Sequence, residues 1–192
     1  MVATMNRHKA AELRALLALP GVTLVSLADW PGAVSPEEDG DTLLANARIK
    51  ARAAVALTGM PAIADDTGLE VDELAGAPGV HAARYAGPGA TDADNVAKLL
   101  RQLTSVPAAR RTARFRTVCV AAWTDGREVS SEGVLEGVIT ESPRGKHGFG
   151  YDPVFVPAGE TRTYAELADV EKHAISHRAR AVQALGERLT GQ

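Results

Sequence analysis

Two acidic segments of the sequence carry the residue types that bind a divalent cation. Glu38 belongs to an acid-rich stretch ahead of a predicted helix that contains Lys50. Asp65 and Asp66 follow a short apolar run, residues 62–64, which we interpret as a buried strand ending at these aspartates. Because adjacent strand residues point to opposite faces, we expect only one aspartate to face the site. Mg²⁺ prefers carboxylate and phosphate oxygens, so Glu38 and one aspartate could bind it together with a phosphorylated substrate.

The N-terminal segment predicts an anion site. Thr4, Asn6 and Lys9 lie at the junction between a very short strand and a predicted helix over residues 7–19. The first N–H groups of a helix are unpaired and its dipole favours negative charge, while Lys9 adds a positive charge. The alternative is that Thr4 or Asn6 only caps the helix and Lys9 is a solvated surface residue. Considered alone, this segment favours that alternative.

An aromatic residue lies in a glycine-rich loop. The segment 142–153 contains three glycines and two prolines, and two of the glycines flank Phe149. Small neighbours leave the ring accessible to a planar ligand, which it could bind by stacking. Asp152 could then form a hydrogen bond with a base edge or a ribose. The alternative is an ordinary turn whose Phe149 and Tyr151 fill the core.

A second cationic segment, residues 171–178, precedes the last predicted helix. Lys172 offers a point charge and Arg178 a planar fork, and both suit phosphate. His177 has no neighbour at a zinc-ligand spacing, so a hydrogen-bonding or structural role is favoured over metal binding. Nucleophilic catalysis is poorly supported, because there is no G-x-S-x-G motif and Cys119 has no evident activating neighbour.

Periodicity and turn residues predict the elements that position these side chains. Helices and strands alternate along the chain, and an antiparallel pair is joined by the turn Asp125-Gly126. We therefore expect an α/β fold with a mixed sheet flanked by helices, arranged in two lobes. The predicted helices cover residues 7–19 and 42–57, follow the cap pairs Thr91/Asp94 and Thr163/Glu166, and begin after Ser176; the predicted strands cover residues 22–27, 62–64, 112–124, 127–139 and 154–156.

Length and charge restrict the function classes. The 192 residues suit one domain, and 21 Lys and Arg against 24 Asp and Glu give a net charge of −3, which disfavours nucleic-acid binding. No apolar run is long enough to cross a membrane, and the N-terminus lacks the apolar region of a secretory signal. The single Cys119 cannot form an intramolecular disulfide. We expect a soluble cytoplasmic protein without nucleic-acid or membrane partners.

Six ordered blocks together resemble the Ham1/RdgB-type inosine triphosphatase family. The motifs G-F-G-Y-D-P and I-S-H-R and the block that starts at Ala64 are the most specific of them. The blocks are A-T-M-N-x-x-K-x-x-E (residues 3–12), E-x-G-x-T-x-x-x-N-A-x-x-K-A (38–51), P-A-I-A-D-D-T-G-L (61–69), G-A-P-G-V-x-A-A-R-Y-A-G (76–87), G-F-G-Y-D-P-V-F (148–155) and E-K-x-A-I-S-H-R (171–178).

The resemblance implies a single ITPase-like domain over residues 1–192, with an elongated mixed β-sheet and a substrate cleft between two lobes. It also implies Mg²⁺-dependent hydrolysis of ITP, dITP and XTP to the monophosphate and pyrophosphate, by a homodimer. Hypoxanthine and xanthine carry a carbonyl at position 6 where adenine carries an amino group, so donors placed there would be left unpaired against ATP.

Matched position by position, the family's site residues fall in five of the six blocks, all except 76–87. Asp66 is implied as general base and metal ligand, Lys50 as a catalytic residue beside the triphosphate, and Glu38 as a metal ligand. Phe149 is implied to stack on the base. The other implied substrate contacts are Thr4, Asn6, Lys9, Thr67, Gly150, Tyr151, Asp152, Lys172, His177 and Arg178.

The chain departs from the family pattern near its start. Met5 replaces the usual glycine in the turn that approaches the phosphates, and the first strand is shorter. This departure bears on substrate affinity more than on reaction type. Two alternatives stay open, a Maf-like pyrophosphatase for modified or pyrimidine nucleotides and a non-catalytic nucleotide sensor.

Overall fold

The computed structural model describes residues 1–17 and 21–191, which form five α-helices and five β-strands. The fold is of the α/β class, as predicted. Among the described residues, no helix is both long enough and apolar enough to span a bilayer. The helices are α1 (Arg7–Leu16), α2 (Leu43–Thr58), α3 (Asp92–Gln102), α4 (Asp169–Ile175) and α5 (His177–Thr190); the strands are β1 (Ala62–Val71), β2 (Pro78–Gly79), β3 (Thr112–Ala122), β4 (Glu128–Ile139) and β5 (Phe155–Pro157).

The five strands form one sheet in the order β2-β1-β3-β4-β5. β2 pairs antiparallel with β1, and β5 pairs antiparallel with β4. The predicted turn at Asp125-Gly126 joins β3 to β4, closed by a hydrogen bond from the Trp123 N–H to the Arg127 carbonyl at 3.0 Å. Val2 adds parallel bridges to Ser26 and Ile63. The parallel pairing of the predicted mixed sheet is thus limited to isolated bridges, whereas the five strands themselves form an antiparallel sheet.

The chain divides into two compact units, each assembled from several segments. Unit 1 comprises residues 1–66, 117–133 and 178–192. Its core combines Leu13 of α1, Cys119 of β3 and Leu185 of α5, all fully or almost fully buried. Burial raises the pKa of the Cys119 thiol well above its usual range, so this cysteine stays protonated and inert. The first and last helices of the chain therefore pack in the same core.

Unit 2 comprises residues 67–116 and 134–177. Its core contains an aromatic group, in which the Phe115 and Phe155 ring centroids lie 4.6 Å apart and Tyr164 packs against both. Leu99 of α3 is fully buried in the same core.

Local capping fixes where the helices begin and end. The Thr42 hydroxyl accepts a hydrogen bond from the Ala45 N–H, and Gly59 ends α2 in a left-handed conformation at φ 65°. α3 begins with the predicted capping box, in which Thr91 and Asp94 satisfy each other's backbone N–H groups. A second predicted capping box, Thr163 with Glu166, opens one turn of 3₁₀ helix.

The sequence predicted that Asp65 and Asp66 lie at the end of a short strand, and this prediction differs from the structure. β1 continues for ten residues, so Asp65 and Asp66 lie in its interior. The prediction was wrong because Thr67 and Gly68 read as turn residues, whereas the strand continues to the buried Leu69 and Val71 of unit 2.

Three other predicted elements differ from the structure. Residues 22–27 form no strand: Ser26 makes an isolated bridge with Val2, Leu27 begins a turn of 3₁₀ helix, and Val22 is 53% exposed. Part of the segment 171–178 is helical, because α4 covers Asp169–Ile175. β5 begins one residue later than predicted. α1 ends at Leu16, and residues 18 and 19 of the predicted helix lie outside the described residues.

Unit 2 depends on a buried arginine. The Arg111 guanidinium donates to the carbonyls of Leu103, Val106 and Thr140 at 2.8–3.0 Å. Replacing Arg111 by Met removes these charge-assisted hydrogen bonds from a site that is 4% exposed. We expect urea denaturation to show a loss of about 3 kcal/mol in the free energy of unfolding.

The matched control is the neighbouring Arg110, whose ion pair with Glu73 lies at the surface. Arg110→Met should cost less than about 1 kcal/mol, since exposed pairs contribute little. Equal losses for the two variants would show that the buried hydrogen bonds of Arg111 do not stabilise unit 2.

Candidate active site

A lysine joins the two predicted metal-binding carboxylates in unit 1. The Lys50 Nζ lies 2.8 Å from Asp66 Oδ1 and 3.2 Å from Glu38 Oε2. The Lys50 side chain is only 11% exposed and that of Asp66 10%. The structure therefore brings together Glu38, Lys50 and Asp66, which the sequence placed in different segments.

Three elements position this group. Lys50 projects from the middle of α2, Asp66 from the interior of β1, and Glu38 from the irregular segment that leads into α2. Glu38 precedes Lys50 by twelve positions, and its carboxylate reaches the Lys50 ammonium from the segment ahead of α2. The group is thus built from one strand and one helix with its leading segment.

Asp65, the neighbour of Asp66, has different partners. Its Oδ2 lies 3.2 Å from the Arg178 Nε and 3.7 Å from the Lys9 Nζ, and Arg178 also pairs with Glu12. All four residues belong to unit 1, and the Asp65 and Arg178 side chains are almost fully buried. The expected divergence of the two aspartates is therefore observed, although both lie inside the strand.

The two aspartates also differ in their protonation. Burial raises the pKa of Asp66 above its ordinary value, because loss of hydration outweighs the attraction of Lys50. Burial would also raise the pKa of Asp65, but the charges of Lys9 and Arg178 outweigh it and hold that pKa well below its usual range. Asp65 is thus a fixed anion, whereas Asp66 is a carboxylate whose charged form is less favoured and which suits proton transfer.

Lys50 responds in the opposite way to burial. Loss of hydration lowers the pKa of Lys50, but the carboxylates of Asp66, Asp65 and Glu38 outweigh this effect and raise it. Lys50 therefore stays positively charged at neutral pH. A fixed ammonium between two carboxylates reduces their mutual repulsion and attracts an anionic substrate.

The donor set suits a magnesium ion that is shared with a substrate. No group of three or more His, Cys, Asp or Glu side chains that could hold a metal ion occurs within residues 1–17 and 21–191. Glu38 and Asp66 supply two carboxylates, and Mg²⁺ commonly takes one or two carboxylates together with substrate phosphates and water. The residues present therefore fit Mg²⁺ bound with a phosphorylated ligand.

The predicted anion segment adopts the capping arrangement. The Asn6 Oδ1 accepts the Lys9 N–H at 3.1 Å, and the Thr4 Oγ1 accepts the Asn6 N–H at 3.2 Å. Lys9 is not a solvated surface residue, because its ammonium pairs with Asp65. Met5, at the position of the family's glycine, is 38% exposed. Asn6 thus caps α1, while Lys9 lies beside the buried anion.

The glycine-rich loop of unit 2 presents Phe149 at the surface. The ring is 38% exposed, and the Lys172 Nζ lies 5.2 Å from its centroid. The Asp152 Oδ2 accepts hydrogen bonds from the Phe149 N–H at 3.1 Å and from Lys172 at 2.6 Å. Gly148 has φ 81°, and a Cβ there would overlap the Asp152 carboxylate. The loop therefore holds an open aromatic ring with a cation beside it.

Three predicted substrate contacts are buried side chains. Tyr151 lies in the core of unit 2, and its hydroxyl donates to the Ala82 carbonyl at 2.8 Å. His177 stacks on Phe115 with ring centroids 4.9 Å apart. Arg178 belongs to the Asp65 group of unit 1. Gly150 and Thr67 are half-buried in unit 2, Thr67 directly after Asp66 in β1.

Three residues near these groups had no predicted role. The Asp92 carboxylate accepts the Gly150 N–H at 2.7 Å and tethers the aromatic loop to α3. Glu12 pairs with Arg178, and Asn46 contacts the segment that carries Glu38. Glu12 and Asn46 stand in the quoted motifs, but Asp92 reads only as an acid at a helix start, which the helix dipole alone explains.

Comparisons with known proteins agree along almost the whole chain. The model of the Ham1 family matches residues 1–188. The dITP/XTP pyrophosphatase of Symbiobacterium thermophilum is 51% identical over 189 residues, which cover 98% of this chain and 93% of that protein, and its counterpart in Geobacillus kaustophilus is 49% identical over 97% and 92%.

Solved structures resemble the fold equally closely. A HAM1 protein from Coxiella burnetii superposes with a TM-score of 0.90 at 41% identity, covering 100% of this chain and 98% of that one. The dITP/XTP pyrophosphatase of Mycobacterium abscessus superposes with a TM-score of 0.79 at 48% identity, covering 96% and 95%.

The different environments of the two aspartates predict different effects on stability. The lowered pKa of Asp65 means that its charge stabilises the fold above its unfolded pKa of about 3.9, and that this contribution disappears as pH falls through the folded pKa. At pH 7, Asp65→Asn removes one partner of the buried Arg178. We expect urea denaturation to show a loss of about 3 kcal/mol.

Asp66→Asn is the matched variant. The raised pKa of Asp66 means that folding favours its protonated form, so this group stabilises only at low pH and the contribution is lost as pH rises through the folded pKa. At pH 7 the neutral amide removes one partner of Lys50 but leaves its ion pair with Glu38, so we expect a smaller loss in the free energy of unfolding than for Asp65→Asn. A loss as large as that of Asp65→Asn would contradict the assignment of structural and chemical roles.

Proposed function

The chain belongs to the Ham1 family, and from this premise we propose that it hydrolyses the non-canonical purine nucleotides ITP, dITP and XTP. The products are the nucleoside monophosphate and pyrophosphate. The observation that carries the proposal is the group formed by Glu38, Lys50 and Asp66, which unites the charges that such a reaction requires. The two most similar relatives named above are both called dITP/XTP pyrophosphatases.

We assign the chemical step to Asp66. Water that attacks the α-phosphorus must lose a proton, and a carboxylate with a raised pKa is suited to accept it. Lys50 and Lys9 would offset the negative charge that develops on the departing pyrophosphate. We propose that Glu38 and Asp66 hold Mg²⁺, which when bound neutralises charge on the phosphate oxygens.

We assign recognition of the base to the aromatic loop. Phe149 would stack on the purine. Beside the purine, Lys172 would offer a hydrogen-bond donor and Asp152 an acceptor. Gly150 and Tyr151 would complete this wall, and Thr67, Thr4 and Asn6 would contact the substrate. That His177 and Arg178 contact the substrate stays a prediction. The preference for bases with a 6-carbonyl also stays a prediction. The homodimer and the cytoplasmic location implied by the resemblance also stay predictions.

The reaction has a distinctive product pattern. Incubation of dITP or XTP with the protein and Mg²⁺ should release monophosphate and pyrophosphate in equal amounts, at least about tenfold faster than for ATP or GTP, as resolved by ion-exchange chromatography. Asp66→Asn should reduce turnover by roughly 100-fold or more. Release of orthophosphate would contradict the proposal, and binding without any product would favour a nucleotide sensor.

The stacking role of Phe149 predicts a change in substrate affinity. Phe149→Ala removes the platform, and loss of stacking on an aromatic ring should raise KM by roughly five- to 100-fold for every purine substrate, with a smaller effect on kcat. Phe149→Trp is the control, since it retains an aromatic face and should keep KM close to that of the unaltered protein. An unchanged KM in the alanine variant would mean that the ring does not contact the base.

A further inference from the structure

Asn46 is a polar side chain that is completely buried in α2. Its Oδ1 accepts a hydrogen bond from the Gly40 N–H at 2.8 Å. Its Nδ2 has no acceptor within residues 1–17 and 21–191. A reversed amide would place Nδ2 against a second donor, so the Gly40 N–H fixes the orientation of the side chain. The Asn46 side chain therefore accepts the hydrogen bond of the Gly40 N–H, while its own Nδ2 donor is left without an acceptor among the described residues.

Gly40 allows this contact because it has no side chain. A Cβ at position 40 would lie 2.7 Å from the Asn46 Oδ1 and 2.7 Å from the Ala45 Cβ, closer than real Cβ atoms come. Any other residue would push the segment away from the helix. The family block 38–51 contains both the glycine and the asparagine, in addition to Glu38 and Lys50.

α2 holds the segment ahead of it at three successive points. Lys50 binds the Glu38 carboxylate, Asn46 binds the Gly40 amide, and the Thr42 hydroxyl caps the helix through the Ala45 N–H. Asn46 and Lys50 are four residues apart in the helix, so their side chains are neighbours on its surface. The contact made by Asn46 holds the backbone between Glu38 and the cap.

We propose that Asn46 is a positioning residue, which holds the Gly40 backbone against α2 so that Glu38 is placed for metal binding beside Asp66. The part of this inference that concerns the metal rests on the proposed function, whereas the contact between Asn46 and the Gly40 backbone is observed in the structure. Partners that orient a metal ligand typically change metal affinity roughly 10- to 100-fold when they are removed. An asparagine that only fills the core would not have this effect.

The test compares three variants of the full chain. Asn46→Leu keeps the side-chain volume without the acceptor, and Gly40→Ala blocks the same contact from the other side. Ala54→Gly is the control, since it weakens α2 by backbone entropy at a buried position two turns beyond Asn46. Two quantities are measured: hydrogen exchange of the Gly40 amide without ligand, and Mn²⁺ binding by electron paramagnetic resonance in the presence of an unreactive dITP analogue.

We expect Asn46→Leu and Gly40→Ala to lose protection at residue 40 and to weaken Mn²⁺ binding at least about tenfold, whereas Ala54→Gly changes neither. The double variant should be no weaker than the single variants, because both remove one contact. Retained Gly40 protection or unchanged Mn²⁺ binding in Asn46→Leu would overturn the inference. If the unaltered protein binds Mn²⁺ but forms no pyrophosphate, the proposed function fails while the positioning role stands.

Discussion

The structure of the candidate site depends on one buried ammonium between two carboxylates. Without Lys50, the negative charges of Glu38 and Asp66 would repel each other in a region with little water. With it, both carboxylates can stay close together before any other cation binds. The elements that surround the site serve this arrangement: α2 supplies the lysine and restrains Glu38, and β1 supplies Asp66.

The alternating geometry of β1 gives the adjacent residues Asp65 and Asp66 different partners and therefore different roles. Alternation along β1 turns Asp65 towards Lys9 and Arg178 and leaves Asp66 with Lys50. Asp65 consequently joins α1 and α5 within unit 1 as a permanent anion, since Arg178 belongs to α5 and Lys9 to α1. The carboxylate of Asp66, whose pKa is raised, can instead gain or lose a proton.

The sequence predicted the α/β class, the β3–β4 turn, the capping boxes and the segments that carry the acidic, cationic and aromatic groups. It did not predict that β1 continues through Asp65 and Asp66, because burial on both sides of a polar stretch arises only from tertiary packing. Pairings such as Arg178 with Glu12 join residues 166 positions apart and leave no local pattern. Tyr151 illustrates the same limit: its aromatic type suits both a binding wall and a core, and only packing distinguishes them.

The proposed reaction depends on metal binding between Glu38 and Asp66. The most direct measurement is an anomalous difference map from crystals grown with Mn²⁺ and an α,β-imido analogue of dITP. We expect an ion coordinated by the Glu38 and Asp66 carboxylates and by phosphate oxygens of the analogue. An ion bound to the analogue but away from both carboxylates would contradict it.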